Sequence, residues 1–228
     1  MTDLQYGSVS ARWVLPAWRR RGNRHFGGVG LRVNAMGARS FSQVQESEQE
    51  GVHATLLSAF THDPVMRWFY PDDAHYRTHF PELVVAIGGR AFDERTAWSL
   101  DGAAAALWLP PGTEADGDAI ATVLLESVSA AQHGDLFTLH LQVDEAHPTS
   151  LHWYLAWLGV AAARQGTGLG GELMTQCLEV VDGTHQPAYL ENSNPRNTPF
   201  YERHGFEVTG EAQAGTCPPV TFMLRAAR

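Results

Sequence analysis

Two cysteines in 228 residues, Cys177 and Cys217, leave little room for sulfur chemistry. They form no C-x-x-C, so neither a disulfide framework nor a cysteine metal knuckle is expected, and a reducing, cytoplasmic compartment follows. Histidine is plentiful at 11 residues, but no H-E-x-x-H or other metal spacing occurs, so no metal site is expected. No apolar stretch reaches the about 20 residues a membrane helix needs, which removes the membrane from the list of partners. Lysine is missing altogether, and all 16 basic residues are arginines. No side-chain pair reads as the nucleophile and base of a covalent acyl-enzyme. No internal repeat is visible, and the length suits one sizeable core.

Charge is unevenly placed. Before residue 46 there are seven arginines (Arg12, Arg19, Arg20, Arg21, Arg24, Arg32 and Arg39) and one acid, Asp3. The remainder carries nine arginines against 24 acids. An acidic body argues against a nucleic-acid surface and suits a cationic amine, although solubility alone would also account for it. The first 40 residues have no clear periodicity and read as a basic, flexible leader. Two other readings stand beside this one: upstream sequence ahead of a true start near Met36, and a targeting peptide, against which Arg19-Arg20-Arg21 lacks an apolar core behind it.

From Phe41 onward the order of elements is legible. A weak strand at Phe41–Gln45 precedes helices at Glu46–Phe60 and His75–Ala91. Strands at Thr96–Leu100 and Ala103–Leu109 form a hairpin about Asp101-Gly102. Helical patterns over Asp116–Gln132 and Leu136–Glu145 follow, and strands at Phe206–Gly210 and Pro219–Leu224 close the chain.

The chemistry concentrates in two late segments. Trp153–Val160 is an apolar, aromatic and branched run that reads as a buried strand. A helix begins near Gly168, with Leu169, Leu173, Met174, Cys177, Leu178 and Val181 on its apolar face. Between them lie Arg164, Gln165, Gly166, Thr167, Gly168, Leu169, Gly170 and Gly171. Glycines allow backbone amides to turn inward, and amides at a helix start are unpaired beside a positive dipole end, so a diphosphate fits. Gly166, Gly168 and Gly171 also spell the dinucleotide fingerprint. Only 57 residues follow Gly171, too few for the strand–helix units that fold requires, and a plain glycine turn is the remaining alternative. The second segment, Ala188–Phe206, places Glu191 at a strand end and Tyr201 on a short helix.

Gln165-x-x-Gly168-x-Gly170 after a strand resembles the acetyl-CoA motif of the GNAT acyltransferase superfamily. Leu190-Glu191, Asn194-Pro195-Arg196-Asn197 and Pro199-Phe200-Tyr201-Glu202-Arg203 resemble its later motif, in wording close to the puromycin N-acetyltransferase-like branch. Ala103–Pro111 and Ala59-Phe60-x-x-Asp63-Pro64 agree loosely with the same branch. The resemblance implies one α/β domain over residues 41–228, with a mixed, mostly antiparallel central sheet flanked by helices. It implies an N-acetyltransferase that moves an acetyl group from acetyl-CoA directly to a primary amine of a small molecule, and a homodimer. The backbone of Leu158, Gly159 and Val160 would pair with the pantetheine arm, and the amides from Gln165 to Gly171 would hold the diphosphate. Arg164 either adds a cation or is a solvated loop arginine. Asn197 would touch the cofactor arm, whereas Asn194 before Pro195 reads first as a helix cap. Tyr201 would return a proton to the departing thiolate, in place of its bland reading as a packed aromatic. Glu191 would be the general base, or else an ion-pairing carboxylate. Asp63, Asp72 and Asp73 are candidates to anchor a cationic substrate. Thr167 departs from the family, which often has a cation there. Rival functions are another acyl donor or acceptor, and a CoA-binding sensor without turnover.

Overall fold

The computed structural model describes residues 39–228, so the expected leader falls, apart from Arg39 and Ser40, outside the described residues. The strands are β1 (Phe41–Gln43), β2 (Ala97–Leu100), β3 (Ala104–Leu109), β4 (Trp153–Val160), β5 (Ala188–Asn192), β6 (Glu207–Ala212) and β7 (Val220–Arg225). The helices are α1 (Gln49–Ala59), α2 (Pro64–Phe69), α3 (Asp73–Gly88), α4 (Arg90–Asp93), α5 (Gly117–Ser127), α6 (His133–Ala146), α7 (Leu169–Asp182) and α8 (Thr198–Arg203). The seven strands form one sheet in the order β1-β2-β3-β4-β5-β7-β6. Every neighbouring pair is antiparallel except β4 and β5. The expected mixed, mostly antiparallel sheet is therefore present.

Local chemistry accounts for the frame. The β2–β3 turn places both Asp101 (φ 55°) and Gly102 (φ 61°) in the left-handed region, and the Ala103 amide donates to the Leu100 carbonyl at 3.1 Å. That is the turn whose twist matches two paired strands. β3 is buried at all six positions, because helices cover both of its faces. On one face α1, α3, α5 and α6 pack over Trp157, Tyr189 and Phe222. On the other, Leu169, Leu173, Met174, Cys177, Leu178 and Val181 of α7 all bury against Trp108, Leu155 and Leu190, as the helical periodicity predicts. The Cys177 thiol is fully buried and its pKa is pushed up by burial, consistent with a core residue. Among the described residues no helix is long and apolar enough to cross a membrane.

Two features escape the local patterns. The expected helix over Glu46–Phe60 divides into a 3-10 turn at Glu46–Glu48 and α1, and the expected helix at His75–Ala91 breaks at Gly89 into α3 and α4. More consequential is a bulge in β4. Leu107 pairs with Trp157 and Trp108 with Leu155, so Ala156 is an extra residue without a partner on β3. One extra residue reverses the side-chain alternation. Leu155 faces α7, whereas Trp157 faces Phe60 and Phe80 on the opposite side, at 5.1 and 5.3 Å between ring centres.

The far end of the sheet is locked by a charge. Arg225 is 3% exposed, forks across both carboxylate oxygens of Asp182, and donates from Nε to the His204 carbonyl at 2.8 Å. One guanidinium thus joins the end of β7 to the ends of α7 and α8. The hydrogen bonds from Arg225 hold the Asp182 carboxyl below the usual carboxylate range. That contribution to stability is complete above the unfolded-state value of about 3.9 and is lost as pH falls through the lower folded-state value. Asp182→Asn should cost about 2–3 kcal/mol at neutral pH, since it leaves a buried cation without its anion. Thermal unfolding should register this as a fall in Tm that narrows toward pH 3, and a pH-independent difference would refute the assignment.

Candidate functional site

β4 and β5 share hydrogen bonds over three residue pairs, Trp153 with Ala188, Tyr154 with Tyr189 and Leu155 with Leu190. Beyond them the strands part. β4 continues to Val160 along β3, while Glu191 and Asn192 of β5 pair only with β7. The edge of β4 from Ala156 to Val160 therefore has no partner strand among the described residues. Such an edge is a template for one more extended chain, and it carries Leu158, Gly159 and Val160.

Gly159 is required by packing. A Cβ there would stand 2.7 Å from Ala59 Cβ and 2.9 Å from Leu56 Cδ2, so α1 packs directly on the face of β4 at this residue and leaves the strand's hydrogen-bonding edge clear. Ser58 of the same helix accepts from the Ala162 amide at 3.1 Å, and the Gln165 side chain donates to the Val160 carbonyl at 3.1 Å. Gln165 thus braces the strand end, with its side chain turned back on β4.

The glycine turn follows. Gly166 (φ 73°) and Gly168 (φ 84°) occupy the left-handed region, with open space where each Cβ would be. The amides of Gly166, Thr167, Gly168, Leu169, Gly170 and Gly171 find no backbone or side-chain acceptor among the described residues, and the ladder resumes only where Glu172 donates to the Gly168 carbonyl at 3.1 Å. Six open donors at the start of a 14-residue helix make an anion cradle. Arg164 is exposed, with no ion pair among the described residues. Thr167 supplies no charge, but Arg39 does: its guanidinium lies 3.0 Å from the Thr167 carbonyl and 2.8 Å from the carboxylate of Glu172. That arginine sits within the span expected to be leader.

Across the gap, Asn194 accepts from the Arg196 amide at 3.2 Å and so acts as the expected cap. The exposed Asn197 side chain makes no cap bond. Asn192, which sequence reasoning passed over, is buried and holds the turn by donating to Thr198 at 3.1 Å and accepting from the Asn194 amide at 3.2 Å. Tyr201 is 8% exposed and packs among Leu190, Phe206 and α7. Burial, then the charge of Asp63, raise its pKa above the ordinary value, so its hydroxyl keeps its proton.

Glu191 projects to the other face. It accepts from the Tyr154 hydroxyl at 3.0 Å and faces His147 Nδ1 at 3.4 Å. Burial and this carboxylate hold the Tyr154 hydroxyl protonated. His152 lies 3.1 Å from His147, and no local pattern marks either residue.

The three acids named as substrate anchors are committed elsewhere. Asp63 caps α2 by accepting from the Val65 and Met66 amides and takes a 2.7 Å bond from Ser193. Asp72 caps α3, and Asp73 pairs with Arg67 at 2.7 Å. Asp–Pro at 63–64 was the available cap signal. Among the described residues no group of His, Cys, Asp and Glu could hold a metal ion.

Residues 113–208 match the family model described as Acetyltransferase (GNAT) domain, a span that holds β4, the glycine turn, β5 and α8. Over 54 residues the chain is 39% identical to an uncharacterized N-acetyltransferase of Schizosaccharomyces pombe, a match that spans 24% of this chain and 22% of that protein. A Corynebacterium glutamicum structure described as a histone acetyltransferase and related acetyltransferase superposes with a TM-score of 0.57 at 19% identity, covering 83% of this chain and 97% of that one. A Drosophila melanogaster polyamine N-acetyltransferase, which forms N-acetylagmatine, gives 0.56 at 16% identity, covering 83% and 100%. At these identities the solved structures share the fold.

Gly159→Ala should force α1 off the face of β4 at a cost of about 1–3 kcal/mol. A Tm equal to that of the parent would show that the contact is not tight.

Proposed function

We propose that this chain, a member of the GNAT superfamily by its domain match and its fold, is an acetyl-CoA-dependent N-acetyltransferase acting on a primary amine of a small molecule. The observation that carries the reading is the parting of β4 from β5 directly upstream of six open amides. An extended arm and a diphosphate are accommodated in line, and the empty space over Gly166 and Gly168 suits the phosphates. Acetyl-CoA supplies an acyl group already activated as a thioester.

The protein's own groups handle position and protons. The free edge at Leu158–Val160 aligns the arm, with Asn197 open to it from the opposite wall. The amides of 166–171 hold the diphosphate, and Arg39 cancels the Glu172 carboxylate that would otherwise repel it. In the reaction a C–N bond forms at the acyl carbon as the C–S bond breaks. Glu191, on the face away from α7, takes the proton from the attacking nitrogen. Tyr201 is the proton donor to the departing thiolate: its raised pKa keeps the hydroxyl protonated and makes it a weak acid, so it first stabilises the developing sulfur charge by a hydrogen bond, and solvent restores the proton it gives up. Both groups belong to the chain, so one direct transfer suffices.

The acceptor is a small amine on this reading. The acidic body favours a cation, and a fold relative is described as a polyamine N-acetyltransferase that forms N-acetylagmatine. α5 and α6 build the wall over the acceptor face and would select among amines.

Thiol release from acetyl-CoA, measured against puromycin, polyamines, agmatine and arylalkylamines, tests the proposal. Amine-dependent release is the expected result. Tight acetyl-CoA binding with no release for any amine would favour a sensor or another acyl donor. Tyr201→Phe should lower kcat about 100-fold or more while leaving the acetyl-CoA Kd within twofold. An unchanged kcat would return Tyr201 to the core as a packing residue.

A further inference from the structure

Five side chains scattered between residues 147 and 191 converge on the sheet face away from α7. His147 follows the last residue of α6, His152 precedes β4, Tyr154 lies on β4, and Tyr189 and Glu191 lie on β5. The His147 ring sits 4.9 Å from that of His152, 5.2 Å from Tyr154 and 4.8 Å from Tyr189.

Donor and acceptor rules fix the hydrogens in this group. His152 Nδ1 lies 2.7 Å from the Ser150 carbonyl, which can only accept, so Nδ1 carries hydrogen. Burial is the largest influence on His152 and lowers its pKa, with His147 acting the same way against the Ser150 carbonyl and Glu191, a balance that favours the neutral imidazole with a bare Nε2. That nitrogen faces His147 Nε2 at 3.1 Å, which must then be the donor. A neutral His147 would be left with a bare Nδ1 facing a Glu191 carboxylate oxygen at 3.4 Å, two acceptors in opposition. One additional proton removes the conflict. The other oxygen of Glu191 is already filled by Tyr154.

We propose that Glu191, His147 and His152 form one proton-holding unit, in which His147 and Glu191 share a single proton and His147 passes to solvent the proton that Glu191 takes from the amine. The proposal rests on the acyl-transfer reading for its purpose, and on the geometry alone for the shared proton. The count closes. The amine nitrogen loses one proton to Glu191, water receives one from His147, whose side chain is 35% exposed, and one remains between the pair. His147 acts through Glu191 and is a positioning residue. The charged and titratable groups facing it are Glu191 and Tyr189 from β5, Tyr154 from β4 and His152 from the segment before β4. Tyr154 and Tyr189 both keep their protons, so neither competes for the shared one.

Imidazole nitrogen shifts of the full chain, followed against pH without substrate, test the shared proton. His152 should read as the neutral Nδ1–H tautomer. At one fixed pH, His147 should carry hydrogen on both ring nitrogens in the parent and lose the one on Nδ1 in Glu191→Gln. The same His147 form in both proteins, or an Nε2–H tautomer at His152, would overturn the proposal. On the amine found by the acceptor panel, His147→Gln should lower kcat about tenfold and shift the limb of the kcat–pH profile, with the acetyl-CoA KM within twofold. His152→Gln, which can still accept at the same place, should restore the profile more closely than His152→Ala. A parent-like profile in His147→Gln would refute the relay. Absence of turnover with every amine would refute the acyl-transfer reading, while the imidazole shifts would still decide the shared proton.

Discussion

The fold is organised around hydrogen bonds that one strand does not make. β4 is satisfied on both edges only as far as Leu155, and its next residues keep one edge open in the middle of the seven-stranded sheet. A central strand with an idle edge is costly in water and invites wrong partners. The structure tolerates it because the Ala156 bulge turns the strand away from β5, and because α1 is pressed against Gly159 and holds that turn. On the proposed reading, the acyl-donor groove, the acceptor face and the two proton-handling residues take their places from this divergence.

The two faces of the sheet divide the chemistry. Tyr201 belongs to the side that carries α7, and Glu191 to the side that carries α1, α3 and α6. The two groups approach the gap between the strands from opposite directions. On the proposed reading, a neutral acid and a base then stand on separate faces without neutralising each other. Burial holds Tyr201 protonated, and a polar cluster with partial solvent access surrounds Glu191.

What could be read from the chain alone was whatever local pattern determines. The β4 strand matches its expected bounds at both ends, the apolar face of α7 is the one its periodicity marks, and the Asp101-Gly102 turn joins the strands expected of it. The bulge was not legible, because Trp153–Val160 is apolar in either register. The role of His147 was not legible either. It lies 44 residues from Glu191, and only the end of α6 brings the two together. The acids at 63, 72 and 73 could have been recognised as caps or ion pairs from their place at helix starts, and were not, because clustered carboxylates also suggest a cation site. Arg39 was grouped with a basic run by composition, although it is tied into the fold by two bonds.

Asp63 shows how closely architecture and chemistry are joined here. Its buried carboxylate starts α2, pins Ser193 in the loop after β5, and adds to the field that keeps Tyr201 protonated. It behaves as a strut between the two sides of the cleft, and its charge makes the Tyr201 hydroxyl a weaker acid. Altering Asp63 would therefore loosen the spacing of the cleft while making Tyr201 the stronger acid, two opposed effects reached without any contact to a substrate.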